Sequence, residues 1–125
     1  MPRPSHVRDA VQGQLRGSNR HVWTVEEMLA ELRAAGVAAD FSSVFRSLVW
    51  CEEQGSVKRV DVGDGRARFE PAGDHHEHAR CERCGTVAEV PGCVLADIPE
   101  RVGSLTGFAI NAHRLVFIGL CPDCQ

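Results

Sequence analysis

The chain has 125 residues, of which 43% are hydrophobic and 25% are charged, and its formal net charge at pH 7 is −3. This length allows one ordinary domain or two very small ones. No apolar run approaches the ~18 residues of a membrane-spanning helix, and the first residues lack the apolar core of a secretion signal. Membrane and secreted classes are therefore disfavoured, and a cytoplasmic location is expected.

Cysteine, histidine and charge are unevenly distributed along the chain. Of six cysteines and six histidines, five cysteines and four histidines lie after residue 70. Residues 1–70 carry ten basic and ten acidic side chains, whereas residues 71–125 carry four and seven. The segment 71–74, Pro-Ala-Gly-Asp, is typical of a hinge. We therefore expect two domains, 1–70 and 75–125.

The first domain is predicted to contain three helices followed by a β-hairpin. Apolar residues at helical spacing predict the first helix. Thr24 and Glu27 form a capping-box pattern for the second, and Asp40 is a predicted N-cap for the third. Two alternating segments separated by Gly63-Asp-Gly65 predict the hairpin. The predicted elements are helices over 5–17, 24–36 and 40–53 and strands over 57–62 and 66–70.

Three helices and a hairpin in this order are typical of a winged helix-turn-helix, in which one helix enters the DNA major groove. Hydroxyl and cationic side chains can bind phosphates, and Phe45 offers an apolar face to a thymine methyl group. Because the charge of this half is balanced, a dimer is needed to collect enough phosphate contacts. The alternative is a small α+β module with an ordinary charged surface. The candidate DNA-binding residues are Ser42, Ser43, Phe45, Arg46 and Ser47 on the third helix and Lys58, Arg59, Arg66 and Arg68 on or beside the hairpin.

Two Cys-x-x-Cys pairs, Cys81/Cys84 and Cys121/Cys124, are separated by 36 residues in the second half. Each pair can place two thiolates on one side of a tight turn, and four thiolates form a closed tetrahedral Zn²⁺ site suited to a structural role. A redox dithiol or a rubredoxin-like iron site is the alternative. In a domain of ~50 residues a structural ion supplies much of the folding free energy. Cys51 and Cys93 are interpreted as small buried apolar residues.

The second domain is predicted to be a small α/β unit. Leu95, Ile98 and Val102 form an apolar stripe that predicts a helix beginning near Pro91. The predicted strands cover 86–90, 108–111 and 113–118.

The segment His75-His-Glu-His78 lies directly before the first cysteine pair. In an extended segment His76 and His78 point to one side, and His75 and Glu77 point to the other. One short run can thereby serve two metal sites. The alternative is a polar loop without ligands.

Four segments together resemble a known family in colinear order over nearly the whole chain. They are Asp40-Phe-Ser-Ser-Val-Phe-Arg-Ser-Leu48, Gly63-Asp-Gly-Arg-Ala-Arg-Phe-Glu70, His75-His-Glu-His-Ala-Arg-Cys-Glu-Arg-Cys-Gly85, and Gly107-Phe with His113 and Gly119-Leu-Cys-Pro-Asp-Cys124. The chain resembles the ferric uptake regulator (Fur) family of metal-sensing bacterial repressors. The resemblance implies an α+β chain with a winged-helix domain and a zinc-stabilised dimerisation domain, which binds double-stranded operator DNA as a homodimer.

The resemblance also implies the site residues. Phe45 and Arg46 occupy the positions of a Tyr-Arg pair in the family's recognition helix, and Arg8 occupies that of a DNA-backbone contact. The implied ligands are Cys81, Cys84, Cys121 and Cys124 for structural zinc, His21, Glu70, His76, His78 and Glu89 for a regulatory metal between the domains, and His75, Glu77, Asp97 and His113 for a possible third site.

Ligands from both domains would fix the angle between them when the regulatory metal binds, and thus the separation of two recognition helices in a dimer. Imidazole and carboxylate ligands suit Fe²⁺ or Mn²⁺, whereas thiolate favours Zn²⁺. The resemblance implies that zinc-sensing members place a cysteine just after the wing strand, and the segment Phe69-Glu-Pro-Ala has none. Iron sensing is therefore favoured, with zinc, manganese or peroxide sensing as alternatives. Two other classes are a zinc-stabilised module that senses nothing and a zinc enzyme with Glu89 as base. The enzyme is disfavoured because no further nucleophile or general acid is evident.

Overall fold

The computed structural model describes residues 5–20, 22–73, 77–90 and 96–125. The chain divides into two compact units, Met1–Gly73 and Asp74–Gln125, and their boundary falls inside the predicted 71–74 segment. Within the described ranges, every helix is too short or too polar to cross a lipid bilayer.

The first unit contains the three predicted helices, α1 (His6–Gly17), α2 (Val25–Ala34) and α3 (Phe41–Glu53). The Thr24 hydroxyl accepts a hydrogen bond from the Glu27 amide, and the Glu27 carboxylate accepts one from the Thr24 amide. Asp40 and Ser43 form the same reciprocal arrangement at α3. Both predicted caps are confirmed, because each side chain satisfies an amide that the helix leaves without a partner.

A three-stranded sheet completes this unit. Its strands are β1 (Trp23–Thr24), β2 (Val57–Val60) and β3 (Arg68–Pro71), in the order β1-β3-β2. The hairpin prediction is confirmed by the antiparallel pairing of β2 with β3, whereas β1 was not predicted. Since β1 covers the second edge of β3, the last strand of the hairpin is central and not exposed.

The core of the first unit lies between the helices and the sheet. Trp23 and Phe69 are the largest fully buried side chains, and they pack with apolar residues from all three helices. Cys51 is fully buried in this core, which confirms its interpretation as a small apolar residue. The other buried core members are Val7, Val11, Val25, Met28, Leu32, Val44, Leu48 and Val57.

The described residues of the second unit form a three-stranded sheet and one α-helix. The strands are β4 (Glu77–Cys81), β5 (Val87–Val90) and β6 (Val116–Gly119), in the order β5-β4-β6, with β5 antiparallel and β6 parallel to β4. Helix α4 spans Ile98–Thr106 and ends at Gly107, whose positive φ of 76° closes the helix. A short 3₁₀ turn, Pro122–Cys124, lies near the end of the chain.

Three predictions for this unit need correction or lie outside the described residues. Helix α4 begins at Ile98, and the predicted start at 91–95 lies outside the described residues. The predicted strand 108–111 is wrong, since this segment is irregular and the described strands β4, β5 and β6 form a sheet without it. The predicted strand 113–118 is shifted to Val116–Gly119. Alternating apolar residues alone cannot form a strand without a partner strand.

Candidate functional site

The four paired cysteines converge in the second unit. The Sγ atoms of Cys81, Cys84, Cys121 and Cys124 all lie within 4.8 Å of one another. Cys81 ends β4, and the amide of Gly85 donates to the Cys81 carbonyl at 3.0 Å, which closes the first turn. The amide of Cys124 donates to the Cys121 carbonyl at 3.0 Å, which closes the second.

The cluster has the dimensions of a zinc site. In a tetrahedral site with Zn–S bonds of about 2.3 Å, neighbouring sulfurs lie about 3.8 Å apart. The Cys84 and Cys121 sulfurs are 3.7 Å apart. All four corners of the tetrahedron are protein thiols, so the residues fit a closed, structural Zn²⁺ and leave no position for substrate.

The acidities of the thiols also favour a cation. Amide hydrogen bonds from Cys84 and Cys121 lower the pKa of Cys81 to about 6. The neighbouring sulfur of Cys121, followed by burial, raises the pKa of Cys124 to about 12. Four thiolates at this separation repel one another, and a divalent cation removes that repulsion.

Two contacts around the cluster were not predicted from the sequence. The Cys84 sulfur lies 3.1 Å from the Thr86 hydroxyl, which donates to it when Cys84 is a thiolate, and the Arg83 guanidinium donates to the Cys124 carbonyl at 2.9 Å. Arg83 therefore joins the two cysteine turns directly. The sequence places Arg83 between the cysteines of the first pair, which indicates that it lies near the cluster. Its partner could not be predicted, because the Cys124 carbonyl is 41 residues away in the sequence.

Predicted ligands of two different metal sites lie on opposite faces of β4. His78 is directly opposite Glu89 in the antiparallel β4–β5 pair, so both side chains are on one face. Glu77 is on the other face, and its Oε1 lies at hydrogen-bond distance, 2.8 Å, from the Nε2 of His113. The sheet thus separates the His78–Glu89 pair from the Glu77–His113 pair.

The predicted third site is only partly assembled by the described residues. Glu77 is 2% exposed, which favours a partner for its charge, and His113 is one such partner. No third imidazole, thiol or carboxylate among the described residues lies within 4.8 Å of both, so Asp97 does not join them. His75, His76 and His21 lie outside the described residues, as does Cys93.

Glu70 belongs to the first unit and is buried at the end of the wing. Its carboxylate is 1% exposed and lies 3.3 Å from the Lys58 ammonium. The predicted regulatory ligands are therefore divided between the units: Glu70 in the first, His78 and Glu89 in the second.

Helix α3 presents its candidate DNA-binding side chains unequally. Phe41 and Arg46 are exposed, and the rings of Phe41 and Phe45 stack with centroids 6.3 Å apart. The hydroxyl of Ser43 accepts from the Asp40 amide, and Ser47 is buried with its hydroxyl donating to the Ser43 carbonyl at 2.8 Å. These two serines serve the helix itself, whereas Ser42 is exposed.

Four cations predicted to face DNA are paired with carboxylates. A carboxylate beside a cation offsets much of the positive charge that would otherwise attract a phosphate. The pairs are Lys58–Glu70 at 3.3 Å, Arg59–Glu52 at 2.9 Å, Arg66–Glu26 at 4.0 Å and Arg68–Asp64 at 2.7 Å.

Arg68 departs furthest from the expectation of a DNA contact. Its side chain is 3% exposed, and its Nη1 lies 2.7 Å from both carboxylate oxygens of Asp64. The reason is that β3 is the central strand, so a residue expected at the surface of a hairpin is enclosed. Arg68 therefore fastens the wing turn to the sheet.

Comparison with known proteins agrees with this architecture. The model of the ferric uptake regulator family matches residues 2–118. The chain is 34% identical over 107 residues to the ferric uptake regulation protein of Bordetella parapertussis, covering 85% of this chain and 76% of that protein. It is 29% identical over 118 residues to the peroxide operon regulator of Bacillus subtilis, covering 94% and 81%.

A solved structure supports the same assignment. A zinc-bound manganese uptake regulator superimposes with a TM-score of 0.75 at 29% identity, covering 96% of this chain and 91% of that chain. This coverage includes residues of both units described above. The chain therefore belongs to the ferric uptake regulator family of metal-responsive transcriptional regulators.

Proposed function

We propose that this protein is an iron-responsive repressor that binds operator DNA in the cytoplasm as a homodimer. The role is regulatory and not enzymatic, in keeping with a family of transcription regulators. The proposed regulatory metal is bound by Glu70 from the first unit and by His78 and Glu89 from the second, together with His21 and His76. Structural zinc is assigned to the four cysteines.

The observation that carries the proposal is the position of His78 beside Glu89 across the β4–β5 pair. Their side chains provide an imidazole and a carboxylate on one face of the sheet, apart from the thiols. An ion held there and by Glu70 would fix the orientation of the two units. It would act as co-repressor, because it binds more tightly to the orientation that fits DNA.

The proposed donor set supports iron as the metal. Imidazole and carboxylate ligands suit Fe²⁺ and Mn²⁺, whereas a thiolate ligand favours Zn²⁺. The relative from Bordetella parapertussis is named a ferric uptake regulation protein, whereas the one from Bacillus subtilis is named for peroxide and the similar solved structure for manganese. Zinc, manganese and peroxide sensing are therefore the other outcomes of the test.

Homodimerisation is supported by apolar side chains that the second unit leaves exposed. Leu105 is 85% exposed and Phe108 is 72% exposed. Large apolar side chains left this exposed are typical of a surface that a partner covers. The other exposed members are Val102, Phe117, Ile118 and Leu120. Two copies would also double the number of phosphate contacts.

The test is DNA binding as a function of metal. Zinc-loaded wild type is titrated with Fe²⁺ without oxygen, and separately with Mn²⁺ and Zn²⁺, on a duplex selected by the protein from a random-sequence pool. A coupling of about 1–3 kcal/mol raises DNA affinity about 5–150-fold in wild type. The double variant His76→Ala, His78→Ala should keep its thiolate-bound zinc and lose this increase.

The matched pair of variants is Glu89→Gln and Glu82→Gln. Both glutamates are exposed in the second unit, but only Glu89 lies opposite His78. Glu89→Gln should weaken the metal response, and Glu82→Gln should leave it unchanged. A histidine double variant that binds DNA as well as wild type at every metal concentration would show that the chain does not sense metal through this site.

A further inference from the structure

A contact between α1 and α3 holds one of the candidate DNA-binding arginines on an aromatic ring. The guanidinium carbon of Arg8 lies 4.3 Å from the centroid of the Trp50 ring. Arg8 is in the first turn of α1, where its amide donates to the Ser5 hydroxyl at 3.4 Å. Trp50 is in the last turns of α3, partly exposed and packed against the core.

The partner of Arg8 differs in charge from those of the wing cations. Lys58, Arg59, Arg66 and Arg68 each pair with a carboxylate. Within the described ranges, no carboxylate oxygen lies within 4.0 Å of the Arg8 side chain. An indole ring is neutral, and it attracts a cation through its electron-rich face without cancelling the charge. The five N–H donors of a stacked guanidinium lie in its plane and are left for other acceptors.

We propose that Trp50 is a positioning residue for DNA binding: its ring holds Arg8 between α1 and α3 so that the guanidinium binds a backbone phosphate. A guanidinium that is already oriented loses less side-chain entropy when it binds phosphate than a freely rotating one. Trp50 itself need not touch DNA. This inference rests on the proposed DNA-binding function, and it requires DNA binding but not a metal response.

The test is a double-mutant cycle in which DNA affinity is measured at several salt concentrations, using the duplex selected by wild type. Arg8→Ala should weaken binding about tenfold. It should also make the negative slope of log K against log salt shallower, by about 0.9 for each arginine lost. Trp50→Leu should weaken binding about fivefold and move the slope toward that of Arg8→Ala. In the double variant the loss should not exceed that of Arg8→Ala by more than about twofold.

Trp50→Phe is the conservative control, because it keeps an aromatic face and should restore most of the affinity and the salt slope. Thermal unfolding of each variant identifies losses that come from the fold. If Trp50→Leu lowers the melting temperature but leaves the salt slope unchanged and adds in full to Arg8→Ala, Trp50 only packs, and the inference is wrong. If wild type binds DNA without any metal response, the proposed sensor function is wrong, but the double-mutant cycle still decides whether Trp50 positions Arg8. If wild type binds no duplex, both are overturned.

Discussion

Arg68 and Arg66 show how two side chains of the same wing, both predicted to contact DNA, are used differently. Arg68 is enclosed and bound to Asp64, whereas Arg66 is 56% exposed and lies 4.0 Å from Glu26. Removing one partner of an enclosed ion pair destabilises the folded protein, because the other charge stays buried without a counterion. An exposed pair at that distance contributes little.

We therefore predict that Arg68→Ala destabilises the first unit and Arg66→Ala does not. Removing Arg68 should lower the free energy of unfolding by about 2 kcal/mol, since Asp64 is left with its charge in a partly buried position. Arg66→Ala should change it by less than about 0.5 kcal/mol. Urea unfolding followed by circular dichroism measures both. Equal stability of the two variants would contradict a structural role for Arg68.

The sequence predicts single residues well where the cause is local. The cap residues Thr24 and Asp40 act on amides three residues away, and the spacing of the cysteines is itself the signature of the ligand set. Ion-pair partners such as Lys58 and Glu70 could not be predicted, because they depend on strand register.

At the scale of the element, the N-terminus of α3 depends on one carboxylate. Hydrogen bonds from the amide and the hydroxyl of Ser43 hold the pKa of Asp40 below its ordinary value, and the cations Arg46 and Arg33 act in the same direction. A group whose pKa is lower in the folded state stabilises that state when it is ionised. Its contribution is complete above the pKa of the unfolded chain and is lost as pH falls through the lowered pKa.

We predict that Asp40→Ala unfolds at lower urea concentration than wild type at neutral pH, and that the difference shrinks as the pH is lowered through the acid range. Asp40→Asn is the matched control, because asparagine caps a helix as well as aspartate but does not titrate. Its unfolding midpoint should stay close to that of wild type at pH 7 and vary less with pH. A difference between Asp40→Ala and wild type that persists at low pH would show that ionisation of Asp40 is not its source.

Elements with a long apolar pattern in the sequence were predicted correctly. Elements whose formation depends on pairing with another strand were missed or wrongly predicted. Helices α1, α2 and α3 each have a full apolar stripe and a cap, and all three are present. Strand β1 has only two residues and exists because Trp23 pairs with Phe69. The wrongly predicted strand 108–111 has the converse problem, since it has the apolar pattern but no partner strand among the described residues.

The two units of the whole molecule differ in how much apolar surface they bury. All core residues of the described part, apart from Cys81, belong to the first unit, and α4 buries none of its residues. A unit of this size that lacks a core needs a metal or a partner to be stable. The cysteine cluster and the exposed apolar side chains supply both requirements.

We predict that Leu105→Glu produces a monomer. Among the residues that the structure describes, Leu105 is the most exposed large apolar side chain, and a carboxylate there would have to be buried in the proposed dimer. Sedimentation velocity should show a dimer for wild type and a monomer for the variant, with weaker DNA binding. Phe41→Glu changes an exposed apolar residue of the first unit and should remain dimeric. A dimeric Leu105→Glu protein would place the interface elsewhere.

The scarcity of buried side chains in the second unit has a consequence for dosage in the cell. If folding of that unit, zinc uptake and pairing of chains depend on one another, they form a single equilibrium that is second order in chain concentration. Halving the amount of protein would then lower the amount of competent repressor by up to fourfold when most chains are unpaired. Repression by such a protein would therefore depend steeply on its own abundance and on zinc supply, even before the regulatory metal binds.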